Sequence, residues 1–456
     1  MGNRRSSGGK TSSRRTLLRT IGASGLVGLA GCGGSEGETA DTGTPTPTPI
    51  GNYPVSGDSV TFGFGVAQSG PYSMSGQQEL RGLTLAVKHI NNGGGWIGDD
   101  SFDSPLSGDG LLGKKVEYAV KDTESSPSTA RKKVQKLINS DDVIMLAGGT
   151  ASGTGIAQQE LAAQEQVVYM ATMSHHGSLT GSACNRFSFR EIFNSRMTAR
   201  ALAPVLVEQF GEDVEYAQFF SENDWGKSLR DDMDSVLREG GWAPIWGRSA
   251  QVGTSDFSQY AAELEQVDPD VIVLSLRGLD AANALREFRE AYPETDIVLP
   301  LSSVEVAQSA GAAIEGVIGT IAWSPALNSP QSDAFRESFR NEYGSSTGSS
   351  KSADPSGPAH VAYTQVLQYA SAVERAGTFN PTAVIAELED HEYNVGLGPQ
   401  TLRACDHQAM RRVPVVRGRP ETQQAYGEYY SLLGEPRDVR YACDTGPAAD
   451  CSLGDN

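Results

Sequence analysis

Three short stretches of this 456-residue chain carry side chains able to act on a small polar molecule. The densest is Gly148-Gly149-Thr150-Ala151-Ser152-Gly153-Thr154-Gly155, between an apolar run and a helical pattern. A glycine-rich turn that feeds a strand into a helix aims unpaired backbone N–H groups and the positive end of the helix dipole at one spot. Thr150, Ser152 and Thr154 add hydroxyls. The set suits a carboxylate or another small polar head; a close helix cap without a ligand is the other reading. It lacks the Gly-Lys-Ser/Thr ending of a nucleotide-phosphate loop. Nor does Ser152 stand at the Gly-x-Ser-x-Gly spacing of a hydrolase elbow.

The second stretch holds His175, just after an apolar strand over 167–171, where open α/β sheets place ligands. The third is split: Trp225 follows a strand over 214–220, and Arg277 ends a strand over 271–276. A ring at 225 would cover an apolar ligand group or begin a helix as a core anchor. The charge at 277 would meet an anionic group in a cleft or sit in water. None of the six His has zinc-like spacing: His175-His176 and Asp406-His407 are adjacent pairs without a partner set. No cofactor or metal is expected, and no acid–base pair stands out.

These residues need elements to hold them. Strand patterns at 60–67, 115–121, 142–147 and 167–171 alternate with helical patterns at 77–90, 128–138 and 155–164. A second series follows: strands at 214–220, 271–276, 296–299 and 316–323, with helices near 197–210, 225–238, 257–266 and 281–291. Strands alternating with helices of this size predict mostly parallel sheets covered on both faces. The fold class is therefore α/β, in two Rossmann-like lobes. Further helices are expected at 332–343, 359–376 and 381–388, then a β-rich region from 393 to about 433.

The charge excludes some partners. With 37 Lys+Arg against 56 Asp+Glu the net is −19. Counterion release on nucleic acid needs a basic face, as does docking on an anionic bilayer. Residues 1–31 read differently, with six basic residues and no acidic one. Arg14-Arg15 followed by a short apolar stretch over 21–31 resembles a twin-arginine export signal, and Leu29-Ala30-Gly31-Cys32 resembles a lipobox that would lipidate Cys32. The stretch is too short to span a bilayer. Residues 32–58, rich in Thr and Pro, cannot fold and would tether the protein to the membrane surface through its lipid. Without the signal the net is −25, 31 basic against 56 acidic, carried with 27 Arg to 10 Lys over the whole chain. That balance suggests a surface adapted to high salt. Four further Cys remain. Nearness in sequence pairs Cys443 with Cys451 and leaves Cys184 with Cys405, one of three possible connectivities.

FGFGVAQSGPYSMSGQQELRGLTLAVKHINNGGG, VIMLAGGTASG and YAQFFSENDWGKSLRDDM, in this order, make the region from about 59 to 424 resemble the leucine/isoleucine/valine-binding proteins, solute-binding subunits of ABC importers with the type 1 periplasmic-binding fold. The resemblance implies a monomer that closes two lobes on a small-molecule ligand, such as an amino acid, and presents it to permease and ATPase subunits. It implies lobe 1 over 59–190 and 324–395, lobe 2 over 191–323 and 396–435, and a tail over 436–456. Hinge crossings would fall near 189–193, 323–326 and 393–398. By the same resemblance Ser69 and Tyr72 lie on the first loop, and Ser152 takes the ligand carboxylate. Met173 and His175 stand where the family has a backbone contact and a Thr. Trp225 keeps a ring, Arg277 or Gly278 replaces one, and Ser302 or Ser303 replaces an acidic residue. These departures open the ligand class to other amino acids, amides, urea-like solutes and organic acids. A sensing module of the same fold is a rival reading, as is a hydrolase using Ser152 and His175.

Overall fold

A computed structural model describes residues 48–98, 104–344, 354–424 and 428–454. The export signal, the lipobox with Cys32 and most of the tether lie outside the described residues. In chain order the elements are β1 (Ser59–Val66), α1 (Ser73–Asn92), β2 (Lys115–Asp122), α2 (Pro127–Ser140), β3 (Met145–Gly148), α3 (Ser152–Gln164), β4 (Val168–Ala171) and β5 (Ser188–Arg190). Then come α4 (Ser195–Phe210), β6 (Glu215–Ser221), α5 (Asp224–Glu239), β7 (Ala243–Ala250), α6 (Ser258–Leu264), β8 (Val271–Ser275), α7 (Gly278–Ala291), β9 (Asp296–Leu301), α8 (Val304–Ala310) and β10 (Ile318–Thr320). The chain continues with α9 (Pro330–Tyr343), α10 (Gly357–Ala376), α11 (Pro381–Leu388), β11 (His391–Asn394), β12 (Pro399–Leu402), β13 (Ala409–Met410), β14 (Arg412–Val413), β15 (Val415–Gly418), β16 (Tyr430–Leu432) and β17 (Arg437–Asp438).

The first sheet runs β2-β1-β3-β4-β5, parallel throughout. The second runs β16-β15-β10-β9-β8-β6-β7, with β15 and β16 antiparallel at one edge. Central strands such as β4 (VYMA) and β8 (VIVLS) are buried at every position, as expected where helices cover both faces. Phe62, Phe64, Met170 and the nearly wholly buried α10 anchor the first core. Phe219, Leu274, Phe288 and Leu299 anchor a core under the second sheet.

Three passages join the lobes. The first leaves β5 for α4, and the second follows β10. The third lies between β13 and β15, near 410–415, later than the expected 393–398. The reason is packing: Val395, Leu397, Leu402 and Ala409 are buried in the first core, and Gln408 bridges to Arg190 beside β5. Glu191, Ala322 and Arg411, one from each passage, meet there. Arg411 Nη1 lies 3.3 Å from Glu191 Oε1 and Nη2 donates to the Ala322 carbonyl at 2.6 Å. Gln400 and Tyr393 donate to the same carboxylate.

The disulfides are Cys184–Cys451 and Cys405–Cys443, which corrects the nearest-neighbour pairing. Tyr441 is held against the Arg403 guanidinium, 4.7 Å away, which brings Cys443 to the β12–β13 turn. Ala448 is buried, and the 3-10 turn over Gly446–Asp450 packs on another over Gly177–Thr180, which carries Cys451 to Cys184. The tail thus crosses from one lobe to the other. Val439, Tyr441 and Ala448 pack with Ile192 and Phe193, while both bridges end on loops beside the first sheet.

Candidate ligand site

Each sheet has a point where successive connections leave in opposite directions: between β1 and β3 in the first, and between β6 and β8 in the second. At such a point the loops beyond the strands' carboxyl ends diverge and leave a crevice. The loops after β1, β3 and β4 here meet the loops after β6, β8 and β9.

The β3–α3 turn needs its glycines. Gly149 has φ +94°, and a Cβ there would stand 2.4 Å from the Tyr169 hydroxyl and 2.8 Å from that of Ser174. This close turn brings Thr150 and Ser152 over the sheet. On the second lobe Asn223 caps α5 by accepting the Gly226 N–H at 2.8 Å, and so sets Asp224 and Trp225 at the helix start. Gly278 (φ +59°) lets the β8–α7 turn approach the first lobe, where a Cβ would be 3.2 Å from the Pro71 carbonyl oxygen.

Arg277 crosses the gap. Its guanidinium donates to the carbonyls of Met173 (3.4 Å) and Thr150 (3.3 Å), and lies 5.5 Å from the ring centres of both Tyr72 and Trp225. On one side of it a cavity of about 280 Å³ is lined by Tyr72, Ser152, Thr154, His176, Asn223, Asp224, Trp225 and others. On the other side a space of about 20 Å³ lies among Met173, Ser302, Ile321 and Pro358. That is room for about one water.

The surroundings of Arg277 are electrostatically incomplete. Two fully buried arginines elsewhere in the chain show the usual solutions. Arg411 has the Glu191 carboxylate. Arg190 is saturated by neutral acceptors: Gln408 Oε1 at 2.6 Å, the carbonyls of Ser174 and His176 at 3.0 and 2.6 Å, and Thr180. Arg277 has two long bonds and, among the described residues, no ion pair. Burial pulls its pKa down, and the acidic groups that oppose this are the Tyr72 phenol first, then Glu79 and Glu305. Both carboxyls are buried and raised by that burial, Glu79 to about 7. Glu305 approaches Ser303 and Ser356, yet neither carboxylate oxygen has a hydrogen bond of ordinary geometry. A mostly buried guanidinium that borders the cavity, with donors to spare and rings on two sides, is arranged to receive an anion.

The sequence-expected residues divide accordingly. Tyr72, Ser152, Trp225 and Arg277 line the larger cavity; Met173, Ser302 and Arg277 line the smaller. Thr150 lies beneath the loop, its hydroxyl donating to Glu79 and accepting the Ala67 N–H at 3.0 Å. Ser69 stays at the exposed rim, donating to Asp122 at 2.7 Å. His175 turns inward and donates Nδ1–H to the Phe193 carbonyl at 2.9 Å. Burial first, then Arg277 and Arg190, push its pKa well down. It is His176 that lines the cavity, and Ser152 Oγ accepts the His176 N–H at 3.2 Å. The Ser152–His175 pair of a hydrolase is thus not assembled. Sequence reasoning missed Asn223, Asp224 and Glu79 as site residues, and set Glu305 aside as close to the family's acidic position but out of register. The signal for Glu79 was an acid in helical register with Ser75, Leu83 and Ala86, all on the buried face of α1.

Comparisons with known proteins agree with this fold. A family model described as periplasmic binding protein matches residues 59–424. A Leu/Ile/Val-binding protein homolog 1 of Brucella suis biovar 1 is 22% identical over 333 residues, spanning 73% of this chain and 82% of that protein. The crystal structure of an amino acid ABC transporter substrate-binding protein from Pseudomonas fluorescens Pf-5 superposes with a TM-score of 0.73 at 22% identity, covering 84% of this chain and 98% of that one. A solute-binding protein of an R. palustris ABC transporter, in complex with benzoate, superposes with a TM-score of 0.70 at 18% identity, covering 83% and 97%.

Proposed function

The chain belongs to the periplasmic binding protein family, and from that premise we propose that its ligand is a small solute bearing a carboxylate, which docks on Arg277 between the lobes. It is a solute-binding protein of the ABC-transporter type. One observation carries the ligand class: Arg277 is a buried guanidinium in the cleft that forms no ion pair among the described residues. Ser152 and the start of α3 provide a second polar contact for the same head group, and Tyr72 and Trp225 provide flat walls for an apolar body. Closure follows as a population shift, because a ligand touching both lobes favours the state in which both touch it. The closed form would be handed to permease and ATPase subunits.

Among the described residues no helix is long and apolar enough to cross a membrane. Export by the twin-arginine route and a lipid on Cys32 complete the reading; C32S should release the protein from the membrane fraction.

The ligand class is tested by thermal shift and calorimetry with L-leucine, L-glutamate, benzoate and 4-methylpentanoate, beside leucinamide and benzamide, which lack the carboxylate. At least one acid should raise the melting temperature as mass action requires while its amide does not. Binding of amides alone would overturn the carboxylate.

A further inference from the structure

Directly under the ligand loops lies a buried acid, held by hydroxyls and without an ion pair among the described residues. Glu79, on α1, is fully shielded from solvent. One of its oxygens accepts the hydroxyl of Thr150, from the loop after β3; the other accepts that of Thr172, just after β4. Thr150 Oγ1 also takes the Ala67 N–H at the end of β1. The carboxyl therefore ties together the ends of the three first-lobe strands whose loops face the cleft. The carbonyl of the same Thr150 receives Arg277. From Glu79 to the proposed docking point there is a path of one residue.

We propose that Glu79 is a positioning residue of the ligand site, and that it takes up a proton when an anion docks on Arg277. This rests on the carboxylate reading above.

The argument is electrostatic and geometric. Arg277 is the positive group acting on Glu79 and favours its ionised form. An anion on Arg277 brings a negative charge whose field offsets that of the guanidinium, and this favours the protonated acid. The other titratable group coupled to Glu79 is Tyr169 of β4, held neutral by burial. From α10 the neighbouring side chain at this floor is Gln365, uncharged, donating to the Ala171 carbonyl at 2.7 Å. A protonated Glu79 also becomes a donor, so one Thr hydroxyl must accept from it and turn its own hydrogen elsewhere. The proton comes from solvent and stays on Glu79 until the ligand leaves. With the carboxyl already poised at about 7, the exchange falls within the neutral range.

The measurement is calorimetry of the full chain with each acid of the panel that binds, in two buffers of unlike ionisation heat near pH 7.5. Wild type should take up a substantial fraction of one proton per ligand, and its affinity should fall about tenfold from pH 6 to pH 8.5, the equivalent of one pKa unit. E79Q should lose both the proton uptake and the slope. In the ligand-free protein, infrared spectra should show a protonated buried carboxyl at pH 6 that fades by pH 8.5 and is missing from E79Q. An acid that binds wild type with no proton uptake overturns this proposal and leaves the carboxylate reading standing; failure of every acid to bind overturns both. Should E79Q fail to fold, proton uptake that persists in Glu305→Gln supports Glu79, and uptake that vanishes there overturns the proposal.

Discussion

The hinge and the cleft each bury an arginine from solvent, yet the two are treated in opposite ways. At the hinge Arg411 meets Glu191, and Gln400, Tyr393 and the Ala322 carbonyl occupy much of what remains of both groups. In the cleft Arg277 has rings and two distant carbonyls. A buried charge paired with a carboxylate of its own chain serves the fold; a buried charge without such a pair is a standing demand for a partner from outside. The paired charge stands where the chain passes between the two sheets, and the unpaired one stands in the cleft.

The largest effect should come from breaking the complete side. Glu191→Ala leaves Arg411 buried without its carboxylate, which typically costs about 3–5 kcal/mol. Denaturant unfolding should show a loss of that order, with little change in ligand preference if the protein is studied below its new melting point. A smaller, pH-dependent effect lies between the two regions. Glu79 has a folded pKa of about 7, above its ordinary 4.5. Its contribution is therefore full below about 4.5 and is lost as pH rises through 7, a change of about 3 kcal/mol relative to E79Q. His89, pulled down to about 4 chiefly by burial, works in the opposite direction across much of this window. The readout is thus the difference between wild-type and E79Q unfolding curves, not either curve alone. The smallest change in folding, and the one most specific to the cleft, should be Arg277→Met. Loss of a charge-assisted contact worth about 1.5–3 kcal/mol predicts a roughly 10- to 100-fold fall in affinity for a carboxylate ligand. The ligand-free melting temperature should hold or rise, since an unpaired buried charge has gone. A large drop in ligand-free stability would mean that Arg277 is a fold residue like Arg411, and the contrast would collapse.

Much of this was legible in the residues. The strand–helix alternation follows apolar runs such as Val271–Ser275, whose side chains leave no other economical burial. Tyr72, Ser152, Trp225 and Arg277 could be brought together because each ends a strand or starts a helix at the same edge of its sheet. What escaped were matters of direction and of distant packing. One peptide step decides whether His175 or His176 faces the cavity, and it is settled by the Phe193 carbonyl 18 residues away. Thr150 reads as a ligand hydroxyl until Glu79, 71 positions earlier, claims it. The cysteine pairing looked local because nothing in the spacing announces that Tyr441 and Ala448 pull Cys443 and Cys451 toward different loops.

Those bridges also set an order of assembly. Cys184 is made 267 residues before Cys451, and Cys405 is made 38 before Cys443. Neither early thiol can reach its native partner until the last stretch of chain has been synthesised and laid across both lobes. A chain cut short ahead of Cys443 would keep two thiols exposed to any oxidase or reactive probe, however well its sheets had formed. The tail thereby acts as a receipt for completion: thiol labelling alone would distinguish finished molecules from interrupted ones.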